Sequence, residues 1–188
     1  MPVRDPLQSK GTVFRSYVET LRRKGWLEDV KQRTTAETKG LIEHLPLASV
    51  WMDTTPSDDL LAALAAAHGL DACRVLGHDA IEGPLMVFLK PIVRGVMRIV
   101  GTTPHALYEH LDRIITLSAK PYSATYERLG DKSGRVTLLP GRPITEPGWH
   151  LWRGILGVAF DLCRVEGVVD LPIPSPDKTS FSVLVRWH

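Results

Sequence analysis

The last eight residues, FSVLVRWH, alternate so that Phe181, Val183, Val185 and Trp187 fall on one face. A period of two belongs to a strand with one buried side, and such a strand needs partners. Residues 122–141, YSATYERLGDKSGRVTLLPG, interleave Tyr, Thr and Val with polar residues on either side of a DKSG turn, which predicts a hairpin around Gly130 to Gly134. VVDLPIP predicts one more strand, joined to the last by the turn PSPDKTS. Between the strand pairs, WHLWRGILGVAFDLCRVEG is apolar almost all round: Leu151, Trp152, Ile155, Leu156, Val158, Phe160 and Leu162 cannot share one stripe. A helix of that kind is packed on more than one face, and Gly154 and Gly157 would let its backbone approach a neighbour closely.

The first half reads as helices. Val13, Tyr17, Val18 and Leu21 recur at helical spacing before Arg22, Arg23, Lys24 and Gly25, cations and a left-handed cap suited to a helix end. Residues 27–45 predict a solvent-facing helix or two short ones, because KQRTTAETK between the apolar ends is polar. TTPSDDLLAALAAAHGL predicts a helix with Ser57 as cap, Asp58 and Asp59 in the first turn, and Gly69 beyond the end. Residues 71–100 divide at Pro84 and Pro91 into helical pieces. Thr103 and Pro104 open a further helix running to about residue 119, stopped by Pro121. Helices followed by strand, strand, helix, strand, strand make an α+β domain: an N-terminal helical layer on a C-terminal twisted antiparallel sheet, with one buried helix inserted between strand pairs. A chain of 188 residues suits one domain, expected over 11–188, with residues 1–10 a disordered tail because of Pro2, Asp5 and Pro6.

Composition names no partner. Twenty-three Lys and Arg against 21 Asp and Glu leave +2, too balanced to call for nucleic acid. No apolar run reaches the roughly 18 residues of a membrane span, and Asp5, Gln8 and Lys10 interrupt any signal-peptide core, so a cytoplasmic location is expected. Cys73 and Cys163 lie too far apart in sequence for a CxxC motif and sit in apolar helical segments, as buried free thiols do. HExxH, GxSxG, GxGxxG and GxxxxGK[ST] are all absent, which leaves the common hydrolase and nucleotide-binding readings without local support. His105 and Glu109 have a metal-compatible spacing but no third ligand, so the expectation is a surface i, i+4 pair; His78 beside Asp79 likewise lacks company.

The start GTVFRSYVE, the strand and turn before Pro140 and Gly141, the helix with Gly154, Gly157 and Phe160, and the terminal strand resemble an uncharacterised bacterial family strongly expanded in myxobacteria. The element order of the second half resembles, more distantly, the superfamily of haem-dependent nitric oxide and oxygen sensors, 4-vinyl-reductase-type ligand domains and vesicle-tethering subunits. That resemblance implies a ligand or partner held between helices and sheet. In the haem sensors a His on the helix before the sheet ligates iron, and a Tyr-x-Ser-x-Arg run on a following strand binds the propionates. His110 has the matching placement, in line with Leu107, Ile114 and Leu117. The strand run, however, is RVTLLPGR, which keeps only Arg142.

The expectation is therefore a non-enzymatic cytoplasmic sensor or binding domain, without cofactor, holding a small apolar ligand between helices and sheet. Its wall is expected to include Phe88, Val96, Leu107, His110, Trp152, Leu156 and Phe160, the apolar or aromatic positions of segments that should face one another. Two alternatives stand beside it: a protein-protein adaptor or dimerisation module, which five tryptophans suit, and a haem-based gas sensor with His110 as axial ligand.

Overall fold

The computed structural model describes residues 6–177 and 179–188, with backbone only at 84, 88, 92, 94, 96 and 98–100. Helix α1 (Gly11–Lys24) buries Phe14, Tyr17, Val18 and Leu21 and ends at Gly25, whose φ of 74° lets its N–H reach back to the Arg22 carbonyl. Two short helices follow, α2 (Leu27–Arg33) and α3 (Ala36–Glu43). The break between them is capped by Thr35, which is itself tethered by Asp59 through its N–H at 2.9 Å and its hydroxyl at 2.8 Å. Asp59 thus anchors the cap of a neighbouring helix rather than only opening its own, α4 (Thr55–His68). Ser57 is not the cap expected of it. It lies inside the first turn of α4 and is buried, while Thr54 precedes the helix and Asp53 accepts the Thr55 N–H at 2.7 Å.

Helix α5 (Leu70–Ala80) passes through a π-helical turn, Ile81–Leu85, into α6 (Met86–Val100). Gly83, immediately before Pro84, leaves helical geometry at φ −91°, ψ −112°, outside the α region that a following proline disfavours. The division expected at Pro91 does not occur: α6 runs through it. Pro91 and Val87 are both exposed, so water can satisfy the carbonyl that the missing N–H leaves free. The helix expected from Pro104 to about 119 is two helices, α7 (Pro104–Glu109) and α8 (Leu111–Thr116), broken at His110, whose φ of −107° and ψ of 7° are not helical.

The main sheet contains β4 (Ser123–Gly130), β5 (Ser133–Leu139), β6 (Gly167–Val169), β7 (Ile173–Pro174) and β8 (Phe181–Trp187), antiparallel in the order β4-β5-β8-β6, with β7 sharing the β8 edge with β6. Alternation on β8 is as read: Phe181, Val183, Val185 and Trp187 are buried. A second sheet was not foreseen. It joins β1 (Gln8–Lys10), β2 (Trp51–Asp53) and β3 (Ala119–Lys120) in the order β2-β1-β3. Gln8 to Lys10, expected in a disordered tail, are thus its central strand; residues 1–5 lie outside the described residues.

Helix α9 (Glu146–Cys163) explains its own apolar circumference. Leu151 belongs to a helical core with Phe14, Leu60 and Leu76, whereas Leu156, Ala159 and Phe160 belong to a sheet-side core with Val136 and Val183. Its glycines differ. A Cβ at Gly154 would fall on the Arg74 carbonyl oxygen and within 2.7 Å of the His78 backbone nitrogen, and one at Gly77 would fall on the Leu151 carbonyl, so α5 and α9 cross backbone to backbone. Gly157, expected to share this role, faces open space.

His78 ties the same two helices, with Nε2 2.7 Å from Asp161 and Nδ1 3.0 Å from Asp79. It therefore does not lack company, but both ring nitrogens are spent on carboxylates, and Asp79 is also paired with Lys24 at 2.6 Å. Burial alone would lower the His78 pKa; Asp79, Asp161 and Glu82 outweigh it and hold the value above the ordinary one. A histidine raised in the folded state contributes its stability fully below its unfolded pKa of about 6.5 and loses it as pH rises through the folded value. Stability is expected to fall by up to about 1 kcal/mol between about pH 6 and pH 8. Chemical denaturation across that range checks this, and Asp161→Asn should flatten the slope.

Candidate functional site

A cavity of about 190 Å³ lies between α1, α6, α7, α8 and α9, closed at one end by the small sheet and the first turn of α4. Its wall is mostly apolar. Leu89 and Val93 come from α6, Leu107 from α7, Leu111 from α8, and Trp152 and Leu156 from α9. Tyr108, also on the wall, stiffens it: its hydroxyl donates to the Leu156 carbonyl at 2.9 Å and so locks α7 to α9.

Of the seven residues expected on this wall, Leu107, Trp152 and Leu156 are there. The side chains of Phe88 and Val96 lie outside the described residues, although their helix supplies the wall through Leu89 and Val93. Phe160 points into the sheet-side core instead, against Tyr108 and Trp187. His110 also lies off the wall, at the break between α7 and α8, and its Nδ1 is buried without a hydrogen-bond partner among the described residues.

The closed end is polar, and sequence reading missed most of it. Arg142 Nη2 donates to Thr54 Oγ1 at 2.8 Å and is ion-paired with Asp58. Burial raises the Asp58 pKa, with Arg142 acting against that shift. The hydroxyls of Ser9, Ser57 and Tyr122, on the same cavity, are buried and have no hydrogen-bond partner among the described residues. The Trp152 indole packs 5.2 Å from the Tyr122 ring and interacts with the phenol oxygen outside hydrogen-bond geometry, and the phenol has no acceptor among the described residues. Ser9 was hidden in the presumed tail and Tyr122 in a loop after Pro121. Only the pairing of β1 with β3, Ser9 opposite Ala119, brings them together.

An unpartnered buried hydroxyl costs roughly 1–3 kcal/mol of desolvation. Ser57→Ala removes one and improves helix propensity, so the free protein should gain about 1 kcal/mol. Thermal unfolding of the variant measures this, and a loss of stability would mean that the hydroxyl has a partner.

The other chemistry-bearing residues are otherwise engaged. His105 is buried rather than paired with Glu109 on the surface: Nδ1 lies 2.5 Å from the Tyr126 hydroxyl, Nε2 2.9 Å from the Asp131 carbonyl, and the Trp187 edge packs against the ring. Burial pushes the Cys73 thiol up to about 12 and Cys163 up to about 11, so neither is an activated nucleophile. No described helix is long and apolar enough to cross a membrane.

No family model matches this chain, and no curated protein matches it. Solved structures do. The Fe(II) unliganded H-NOX protein from K. algicida superposes with a TM-score of 0.69 at 13% identity, covering 95% of this chain and 96% of its own. A Cs H-NOX variant carrying 4-cyano-L-phenylalanine gives 0.70 at 11% identity, over 95% and 96%. A Tt H-NOX double variant gives 0.70 at 11%, over 95% of both chains.

The fold is H-NOX-like.

Other solved structures that this chain matches are described for haem redox potential and haem distortion. Arg142, the residue of RVTLLPGR that the resemblance would match to the propionate-binding run, has its guanidinium already neutralised by Asp58. Leu138 and Pro140 stand where the run would need Tyr and Ser. The cavity is smaller than the roughly 300–1,000 Å³ of pockets for drug-sized ligands, and His110 does not face it. In this arrangement the residues do not fit haem.

Proposed function

We propose that this chain is a non-catalytic ligand-binding domain with a sensor's role, taking a small apolar molecule into the cavity between its helices and sheet. The carrying observation is the cavity itself: about 190 Å³, walled by aliphatic and aromatic side chains, inside an H-NOX-like fold. Apolar cavities of about 150 Å³ stay dry and take benzene-sized guests. A guest that fills this one gains by covering its apolar wall.

The same wall supplies a route to a signal. Leu85, Leu89 and Val93 contribute to it, and they straddle the junction between the π-helical turn and α6. A ligand packed against them favours one setting of α6 over others, which is what a sensor requires.

p-Xylene is the direct probe. At about ten times its Kd it should stabilise the fold by about 1.4 kcal/mol and raise the unfolding midpoint by about 3–5 °C. No shift at saturating p-xylene would remove the reading. Added haem is expected to give no Soret band beyond that seen with an unrelated protein, and His110→Ala should leave the spectrum unchanged. A sharp Soret band lost in His110→Ala would replace the apolar-ligand reading with a haem-based one. A homodimer measured by sedimentation without any ligand effect would favour the adaptor instead.

A further inference from the structure

We infer that the ligand of this cavity is amphipathic, with an apolar body and one neutral hydrogen-bonding group, such as a hydroxyl, seated among Ser9, Ser57 and Tyr122. This deepens the ligand-binding reading above and rests on it.

Three buried hydroxyls from different elements line the same mostly apolar cavity: Ser9 from β1, Ser57 from the first turn of α4 beside Asp58, and Tyr122 from the segment after β3, within the field of Asp58 and Arg142. Ser9 is 5%, Ser57 7% and Tyr122 8% exposed, so bulk water does not satisfy them. None has a hydrogen-bond partner among the described residues. Buried polar groups are ordinarily paired, and an orphan at a cavity wall marks where an absent partner belongs. Three at one wall mark a subsite. Hydroxyls both donate and accept, so this subsite reads an alcohol, phenol, carbonyl or amide equally well.

The neighbouring charges select against an ion. Asp58 and Arg142 neutralise each other on the same cavity. A carboxylate ligand would have to take Arg142 from Asp58 and leave that half-buried acid without its counter-ion. An ammonium would have to take Asp58 from Arg142. A neutral head disturbs neither.

Three matched probes test this by calorimetry on the full chain: p-xylene, p-cresol and 4-methylbenzoate, which carry methyl, hydroxyl and carboxylate on the same ring. In a purely apolar cavity p-cresol loses to p-xylene, because its hydroxyl is desolvated without compensation. Here p-cresol should bind at least as tightly as p-xylene, and 4-methylbenzoate about tenfold or more weaker than either. Tyr122→Phe and Ser57→Ala, which remove unpartnered hydroxyls and so leave the fold intact, should each weaken p-cresol about 3- to 10-fold while changing p-xylene less than about twofold. Binding of p-xylene without p-cresol, or equal weakening of both ligands in the variants, overturns the polar subsite and leaves the apolar pocket standing. Tightest binding of 4-methylbenzoate overturns the neutral head and assigns the ligand to Arg142. Binding of none of the three removes the pocket reading and this one together.

Discussion

Gly154→Ala is expected to cost about 3 kcal/mol or more and lower the midpoint of thermal unfolding by about 6–12 °C, one of the two largest effects anticipated in this chain. The added methyl would meet the Arg74 carbonyl and the His78 backbone, and neither is a flexible side-chain end that can move aside. Separating α5 from α9 to make room would also pull His78 from Asp161, and would draw Leu151 out of the helical core. Gly157→Ala, one turn further along the same helix, supplies the control. Its methyl meets nothing within 4 Å, so only the helix-propensity gain of about 0.5–1 kcal/mol remains. Differential scanning calorimetry of the two variants decides the matter: similar midpoints would mean that the helices do not cross at Gly154.

Leu107→Trp is expected to abolish p-xylene binding, by about tenfold or more in Kd, while the protein stays folded. Leu107 is 5% exposed and lies on the cavity wall, so a larger side chain has empty space to enter rather than a packed neighbour to displace. Overpacking penalties of about 1–3 kcal/mol apply where no such space exists; here stability should stay within about 1 kcal/mol of the parent. Phe160→Leu, a change in the sheet-side aromatic cluster rather than on the wall, should leave affinity nearly unchanged. Calorimetric titration of both with p-xylene separates occupation of the cavity from general loosening of the fold. Undiminished binding by Leu107→Trp would put the ligand elsewhere.

The two variants probe features that were differently visible in the sequence. Leu107, Trp152 and Leu156 could be placed on a common wall because each belongs to an amphipathic or fully apolar helix whose buried side must face something. His110 and Phe160 sit in those same segments and were read in the same way. A helix break at His110 and a different facing at Phe160 put them off the wall. Periodicity reports that a face is buried and does not report what it is buried against.

What the sequence determined by itself is local and periodic. The alternation of β8, the DKSG hairpin, the cations and left-handed Gly25 ending α1, and the all-round apolar α9 each express a rule that acts over a few residues, and together they compose the α+β order. Tertiary structure alone decided the rest. The small sheet joins residues near positions 9, 52 and 119, each strand too short to carry a pattern of its own. The Gly77 and Gly154 crossing pairs two glycines that look like any others in a helix until the partner backbone arrives. The polar end of the cavity joins Ser9, Ser57, Asp58, Tyr122 and Arg142 from four segments. Nothing in their local sequence marks these contacts, because long-range contacts are made when separate apolar faces seek burial together, and the chain's order carries no record of which faces will meet.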